Sequence, residues 1–281
     1  MILLVPADVL RPQRADEHFA DEADAARAAG MDVALVDHDA LTRPGGAGEA
    51  VRRIRGRGAA VYRGWMLRSE QYAAFDQALR RRDVILRTSA EQYRRVHELP
   101  GWYHDLCDLT PRSVWTTGYD RDAFDRACRE LGTGAAVIRD YTKSMKHYWH
   151  EAAFLPEVDE ADAAWRVACR FRELRGDDVT GGFVLRQFEN FVSAEVRTWW
   201  IDGKCQLIGP HPDSSEDMPT TEFDPDTVAP TISGLGLPFV TADFALRADR
   251  VWRLVELGDG QVSDRPHSIP PERLIAVLCA R

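Results

Sequence analysis

Hydrophobic positions in the first hundred residues follow two alternating rhythms. Short continuous apolar runs occur at Ile2–Val5, Val33–Val36, Ala59–Tyr62 and Val84–Leu86. Between them lie stretches with apolar positions three or four apart. These are Ala15–Ala29, closed by Gly30; Ser69–Arg81, with Tyr72, Phe75 and Leu79 in step; and Ser89–Glu98, which opens on Ser-x-x-Gln. Continuous runs fit strands buried on both faces, and the longer period fits amphipathic helices. Ser69 and Ser89 are the expected N-caps, and a basic helix is expected after Gly45–Gly48. The alternation predicts an α/β unit with a parallel, doubly wound sheet. The turn after the first run, Pro6-Ala7-Asp8, has no glycine, so the shape is Rossmann-like without the dinucleotide fingerprint.

From Leu99 to Pro111, Pro and Gly punctuate the chain, which predicts a linker. Beyond it helices are expected over Asp122–Leu131 and Asp159–Arg175. Strands are expected over Ala135–Tyr141, Gly182–Phe188, Ser193–Ile201, Cys205–Ile208, Phe239–Leu246 and Val251–Leu257. Asp202-Gly203 is a tight-hairpin dipeptide, and Arg247–Arg250 joins the last two strands. Trp199 and Trp200 alternate across their strand, which sends one into the core and the other toward a surface or cleft. The expected division is 1–100 as an N-terminal α/β domain and 101–281 as a second domain, itself split into 112–192 and 193–281.

Composition narrows the class. With 44% hydrophobic and 29% charged residues over 281 positions, the chain is globular rather than disordered. No run approaches the ~20 apolar residues that span a bilayer, and the start lacks the basic region of a secretory signal. Five scattered cysteines without a CxxC pair argue against a disulfide framework or zinc site, and fit a reducing, cytoplasmic setting. A net charge of −9 disfavours non-specific nucleic-acid binding. The charge is uneven, however. Arg43–Arg95 holds thirteen Arg against five acids, and Asp213–Asp226 holds six acids and no base. The basic stretch reads as a solvated helical face, or as a surface steering an anion, nucleic acid included.

Three constellations carry candidate chemistry. Only three of the 36 basic residues are lysines, and Lys143 and Lys146 fall within Arg139-Asp140-Tyr141-Thr142-Lys143-Ser144-Met145-Lys146-His147; Lys204 is the third. Cations and hydroxyls in a turn after an apolar strand suit polyphosphate, with an ordinary polar loop as the plain alternative. His147 and His150 read as surface residues. Next come Gln187-Phe188-Glu189-Asn190-Phe191 and Glu195-Val196-Arg197. Glu195 and Arg197 share a strand face, to read a ribose and a phosphate or to form a cross-strand salt bridge. Last, Asp243 interrupts an apolar strand, Glu256 lies near the end of VWRLVEL, and Asp259 sits between glycines. Carboxylates from adjacent antiparallel strands facing one cleft can hold Mg²⁺ while phosphates complete its shell.

In this order the constellations resemble the ATP-grasp superfamily, and within it the clade in which arginine replaces a nucleotide-binding lysine. TSAEQYRRVHELPGW, VIRDYTKSMKHYW, QFENFVSAEVRTWWIDG and WRLVELGDGQVSDRP carry the resemblance, from about residue 88 to 266. It implies an α/β fold with an α+β ATP-grasp core of two subdomains after the N-terminal βαβ domain, using ATP and Mg²⁺. Arg139 takes the place of the strand-borne lysine, with Lys143 and Lys146 in the phosphate-covering loop. Arg94 or Arg95 takes an earlier basic position. Gln187, Phe188, Glu189, Asn190 and Phe191 form the adenine hinge, and Glu195 binds ribose. Arg197 and Lys146 act on the reacting groups, Arg197 facing the γ-phosphate or the acceptor carboxylate. Asp243 and Glu256 match the metal acids. Gly258 stands where Asn is usual, so Asp259 or Gln261 is the expected substitute ligand. The implied activity is ADP-forming ligation of a small-molecule or peptide carboxylate to an amine through an acylphosphate. Kinase-like phosphoryl transfer and a non-catalytic nucleotide-sensing module are the alternatives.

Overall fold

The computed structural model describes residues 1–214 and 217–279; two residues of the acidic 211–230 loop, Ser215 and Glu216, lie outside them. The chain forms two compact units, one of residues 1–96, 194–244 and 256–281, the other of 97–193 and 245–255.

The N-terminal rhythm becomes β1 (Ile2–Pro6), α1 (Ala20–Ala28), β2 (Asp32–Val36), α2 (His38–Thr42), α3 (Ala47–Ala50), β3 (Gly58–Tyr62), α4 (Ser69–Arg80), β4 (Val84–Leu86) and α5 (Ala90–His97). The strands make one parallel sheet in the order β2-β1-β3-β4. All five residues of β1 are buried, as a central parallel strand covered on both faces requires. One face packs Ile2, Leu4 and Tyr62 with Tyr72, Phe75 and Tyr93. The other packs Leu3, Val5 and Val61 with Phe19, Trp199, Phe239 and Leu274. Ser89 caps α5 reciprocally with Gln92, at 2.9 and 3.2 Å. Ser69 is instead the first residue of α4, because Gln71 Oε1 accepts the Arg68 N–H at 2.9 Å and does the capping. The expected basic helix shrinks to Ala47–Ala50, and Val51–Arg53 run through turns.

The middle of the chain holds α6 (Leu99–Leu106), β5 (Ser113–Trp115), α7 (Arg121–Leu131), β6 (Ala136–Arg139), β7 (Phe154–Leu155), α8 (Ala161–Arg175) and β8 (Val184–Gln187). The expected linker at Leu99 is therefore a helix: Pro100 occupies its first turn, where a missing N–H removes no helical bond. The four strands form an antiparallel sheet, β5-β8-β6-β7. Phe124, Phe171 and Phe183 centre its core.

The last stretch holds β9 (Val196–Ile201), β10 (Lys204–Pro210), α9 (Ala229–Gly234), β11 (Phe239–Leu246), β12 (Trp252–Asp259) and α10 (Pro271–Cys279), with sheet order β10-β9-β11-β12. Asp202 and Gly203 close the β9–β10 hairpin with φ of +48° and +76°, the left-handed pair a two-residue turn needs. Trp199 and Trp200 are both buried, at 0% and 1% exposure, so neither lines a surface. Trp199 joins the core shared with the parallel sheet, and Trp200 donates Nε1–H to Thr198 Oγ1 at 2.8 Å. No helix among the described residues is long and apolar enough to cross a membrane.

Candidate nucleotide and metal site

In the unit containing 97–193, β6 delivers Arg139 and the completely buried Asp140 to a turn. Asp140 Oδ1 accepts the N–H groups of Thr142 and Lys143, both at 2.7 Å, and the Thr142 hydroxyl at 3.0 Å. Its Oδ2 accepts Arg175 Nε at 3.0 Å and the Thr180 N–H at 3.2 Å. A buried carboxylate thus moulds the turn, as short acidic side chains do through neighbouring N–H groups. Arg139 is itself buried and clasps the same turn, Nη2 donating to Thr142 O at 2.8 Å. Lys143 is half-buried and Lys146 exposed, as are His147 and His150. Cations held over a fixed turn fit an anionic, phosphate-bearing ligand.

Past β8, the backbone of the expected hinge is pinned: Gln187 N–H donates to Arg112 O and Phe188 N–H to Ala135 O, at 2.8 and 2.9 Å. The Phe188 ring lies 5.3 Å from Phe154 and 6.3 Å from Trp149, which stack on each other at 5.4 Å. Such an aromatic group suits a base. Glu189 has a different occupation. Arg253 grips both its oxygens, at 2.9 and 3.0 Å, and Arg247 Nη1 approaches to 3.1 Å. It anchors the hinge to the 247–253 segment. Asn190 O accepts the Ala248 N–H, and Phe191 bridges to Arg247.

In the other unit, Arg197 and Asp243 are direct cross-strand partners on β9 and β11. Both are buried, with Arg197 Nε on Oδ1 at 2.8 Å and Nη2 on Oδ2 at 2.7 Å. Burial opposes charge on Arg197, but Asp243, with Glu256 and Asp264 nearby, outweighs it and pushes the guanidinium pKa up. Glu195, Asp243 and His211 each offer a donor atom, all within 4.8 Å of one another. Two carboxylates and an imidazole are a donor set that fits a divalent cation.

The sequence did not single out His211. It heads the acidic loop, and only the β9–β10 register brings it beside Glu195, whose carbonyl accepts the His211 N–H at 3.1 Å.

Asp259 stands apart from that group, completely buried, and burial pushes its pKa up to about 7. Its Oδ1 accepts the Gln261 N–H at 2.8 Å. Gln261 is equally buried, its Oε1 accepting the Tyr62 N–H and its Nε2 donating to Tyr72 at 2.6 Å. Mg²⁺ keeps several waters, so residues with no solvent access are poorly suited to hold it; this argues against Asp259 and Gln261 as substitute ligands. At Gly258 a Cβ would lie 3.1 Å from Thr241 Oγ1 and 3.3 Å from Ser263 Oγ, so a hydrogen-bonded hydroxyl pair occupies the room a longer side chain needs.

The basic 43–95 stretch does not make one face. Arg63 is buried on Glu22 at 2.7 Å, Arg87 pairs with Asp202, and Arg82 and Arg95 donate to backbone carbonyls. Arg43, Arg52 and Arg53 instead line a cavity of about 330 Å³ at the carboxyl ends of β1 and β2, with Asp8, Asp37 and His38.

Residues 130–278 match the family model for the ATP-grasp domain of the R-to-K clade, family 3. The chain is similar in structure to a RimK domain ATP-grasp protein from Sphaerobacter thermophilus DSM 20745, at 18% identity and TM-score 0.62, over 99% of this chain and 98% of that one. It is similar to D-cycloserine synthetase DcsG at 17% identity and TM-score 0.63, with the same coverage of 99% and 98%. A third likeness is to the ATP-grasp ligase PsnB complexed with minimal precursor, Mg and ADP, at 16% identity and TM-score 0.58, over 99% and 96%. No curated protein matches the chain. The family match spans just over half of the sequence and includes every candidate residue from Arg139 to Asp259. The chain belongs to the ATP-grasp family, in family 3 of its R-to-K clade.

Proposed function

We propose that the protein is an ADP-forming ligase that joins a small-molecule or peptide carboxylate to an amine. The observation that carries the reading is the cationic turn moulded round buried Asp140, inside the segment that matches the ATP-grasp family. MgATP, when bound, supplies the phosphoryl group that turns the carboxylate into an acylphosphate; the amine then displaces phosphate and loses a proton. The chain's own part is positioning and electrostatics. Arg139, Lys143 and Lys146 neutralise the phosphates. Gln187, Phe188 and Asn190 present backbone and ring to adenine, while Glu189 and Phe191 keep that hinge in place. Glu195 takes the ribose or, with Asp243 and Glu256, the metal. Arg197 orients whatever anion meets Asp243's side of the sheet.

The acceptor class draws support from relatives described as D-cycloserine synthetase and as a ligase bound to a precursor peptide. The cavity at β1 and β2 carries both charge signs, which suits an amino-acid-like substrate. We assign 1–100, 112–192 and 193–281 the N-terminal, nucleotide-covering and large-subdomain roles of such a ligase. Calorimetry with MgATP tests the first requirement. Binding that Lys146→Ala weakens about tenfold, the loss of one charge-assisted contact, is expected; no binding by the parent chain overturns the reading.

A further inference from the structure

The Glu195–His211–Asp243 group contains a feature that a purely carboxylate Mg²⁺ site lacks. One of its three donors is an imidazole nitrogen, and Arg197 already holds its most buried carboxylate. We infer that this group is a nitrogen-containing cation site that prefers a divalent transition ion of the manganese-to-zinc series over Mg²⁺. The inference rests on the ligase reading only in treating Asp243 as a metal-side acid.

Geometry is the first argument. His211 Nε2 lies 3.7 Å from Asp243 Oδ2, and all three donor atoms fall within 4.8 Å of one another. Donors bound at about 2.1 Å in an octahedron are separated by roughly 3.0 Å when adjacent and 4.2 Å when opposite. Closing the group on an ion therefore needs only small side-chain rotations. The backbone is already in place: Pro210 pairs with Val196, His211 N–H donates to Glu195 O, and Asp243 is in register with Arg197.

Charge is the second. Arg197 takes one lone pair on each oxygen of Asp243, and a carboxylate has about four such sites. The acid therefore keeps coordinating capacity. The guanidinium cancels one of the two carboxylate charges, so the site is weakly negative. Mg²⁺, a hard ion that dehydrates reluctantly, gains little there. A borderline ion gains the Nε2 bond, and affinity rises along the series toward copper and zinc.

The surroundings of the imidazole are the third. Asp213 Oδ2 lies 3.9 Å from Nδ1, the nitrogen that does not face Asp243. A ligating histidine ordinarily donates its other N–H to a carboxylate, which fixes the ring and strengthens the ligand. The structure shows Nδ1 beside the Asp213 N–H at 3.2 Å. The loaded form then requires a tautomer with the proton on Nδ1 and a short approach of the Asp213 carboxylate.

The test uses the full chain, stripped of metal and free of nucleotide, titrated with Co²⁺ and followed by visible absorption and equilibrium dialysis. One Co²⁺ per chain is expected, retained against a hundredfold excess of Mg²⁺. His211→Ala and His211→Asn should each weaken Co²⁺ binding at least tenfold, the usual cost of losing a ligand or its support. Asp213→Asn, at an exposed side chain that folding does not need, should weaken it several-fold. The proposal is overturned if His211→Asn or Asp213→Asn binds Co²⁺ as tightly as the parent, or if equimolar Mg²⁺ displaces it. MgATP calorimetry on the same preparation keeps the two readings separate. Normal MgATP binding without a His211-dependent cobalt site sinks this proposal alone, and a cobalt site without MgATP binding sinks the ligase reading alone.

Discussion

Arg197 on β9 and Asp243 on β11 face each other across the sheet and close a two-bond fork, 2.8 and 2.7 Å long, with both side chains buried. The metal-side acid is thus already balanced by a cation, and neither partner tolerates the loss of the other. Arg197→Ala or Asp243→Ala should cost about 3–5 kcal/mol, because an unpaired charge stays buried. The double replacement Arg197→Met with Asp243→Leu should fold with nearly the parent's stability. Urea denaturation of the three variants checks this; single variants that cost under about 1 kcal/mol would show the pair is not desolvated.

Asp259 makes a prediction about pH. Burial raises its pKa to about 7 from an ordinary 3.8, so the folded chain favours the neutral acid. Stability from this group is fully present below about pH 4 and is lost as pH rises through about 7. Asp259→Asn imitates the neutral form. Its stability relative to the parent should grow by roughly 2–3 kcal/mol between pH 5 and 8 and then level off. A gap independent of pH, measured by chemical denaturation, would mean that Asp259 is ionised throughout.

Asp140 holds the cationic turn from inside. Asp140→Asn keeps the volume but loses the charge that faces Arg175 and at least one of the accepted N–H bonds. With Lys143 no longer fixed, MgATP affinity should fall about tenfold, equivalent to ~1.4 kcal/mol. Calorimetry reads this directly. An unchanged affinity would show that the turn does not need its anchor.

The Trp149, Phe154 and Phe188 rings supply an optical signal. Adenine stacked on Phe188 should alter tryptophan emission, and Trp149→Phe should remove most of that change. Phe188→Ala should weaken MgATP by about 1–3 kcal/mol, the worth of one base–aromatic stack. Fluorescence titration of both variants decides whether base recognition belongs to this cluster.

The parallel sheet was readable because its strands are continuous apolar runs, and Val84–Leu86 and Phe239–Leu246 match the structure residue for residue. Asp202-Gly203 and the Ser89–Gln92 cap were readable because local chemistry decides them. Helix α6 was hidden by Pro100 and Gly101, which look like breakers but sit in its first turn. In the site, Arg139, Lys143, Arg197 and Asp243 could be named from strand ends and alternation. His211 could not, because its neighbours are set by sheet register rather than by spacing along the chain. Nor could the sealed position of Asp259, which depends on burial beside Tyr72 and Tyr93 of the distant helices α4 and α5. Glu189 shows a third limit. A carboxylate in a motif is silent about whether a ligand or Arg253 and Arg247 will claim it.

The central claim is that this chain couples ATP cleavage to joining an acid and an amine. Incubating the full chain with MgATP and pooled carboxylic acids and amines, and identifying products by ³¹P NMR and mass spectrometry, tests it most directly. The account predicts ADP and phosphate in equal amounts, with an amide whose formation needs both pools and is lost in Lys146→Ala. AMP and pyrophosphate, or a phosphorylated acceptor that accumulates without an amide, would contradict it.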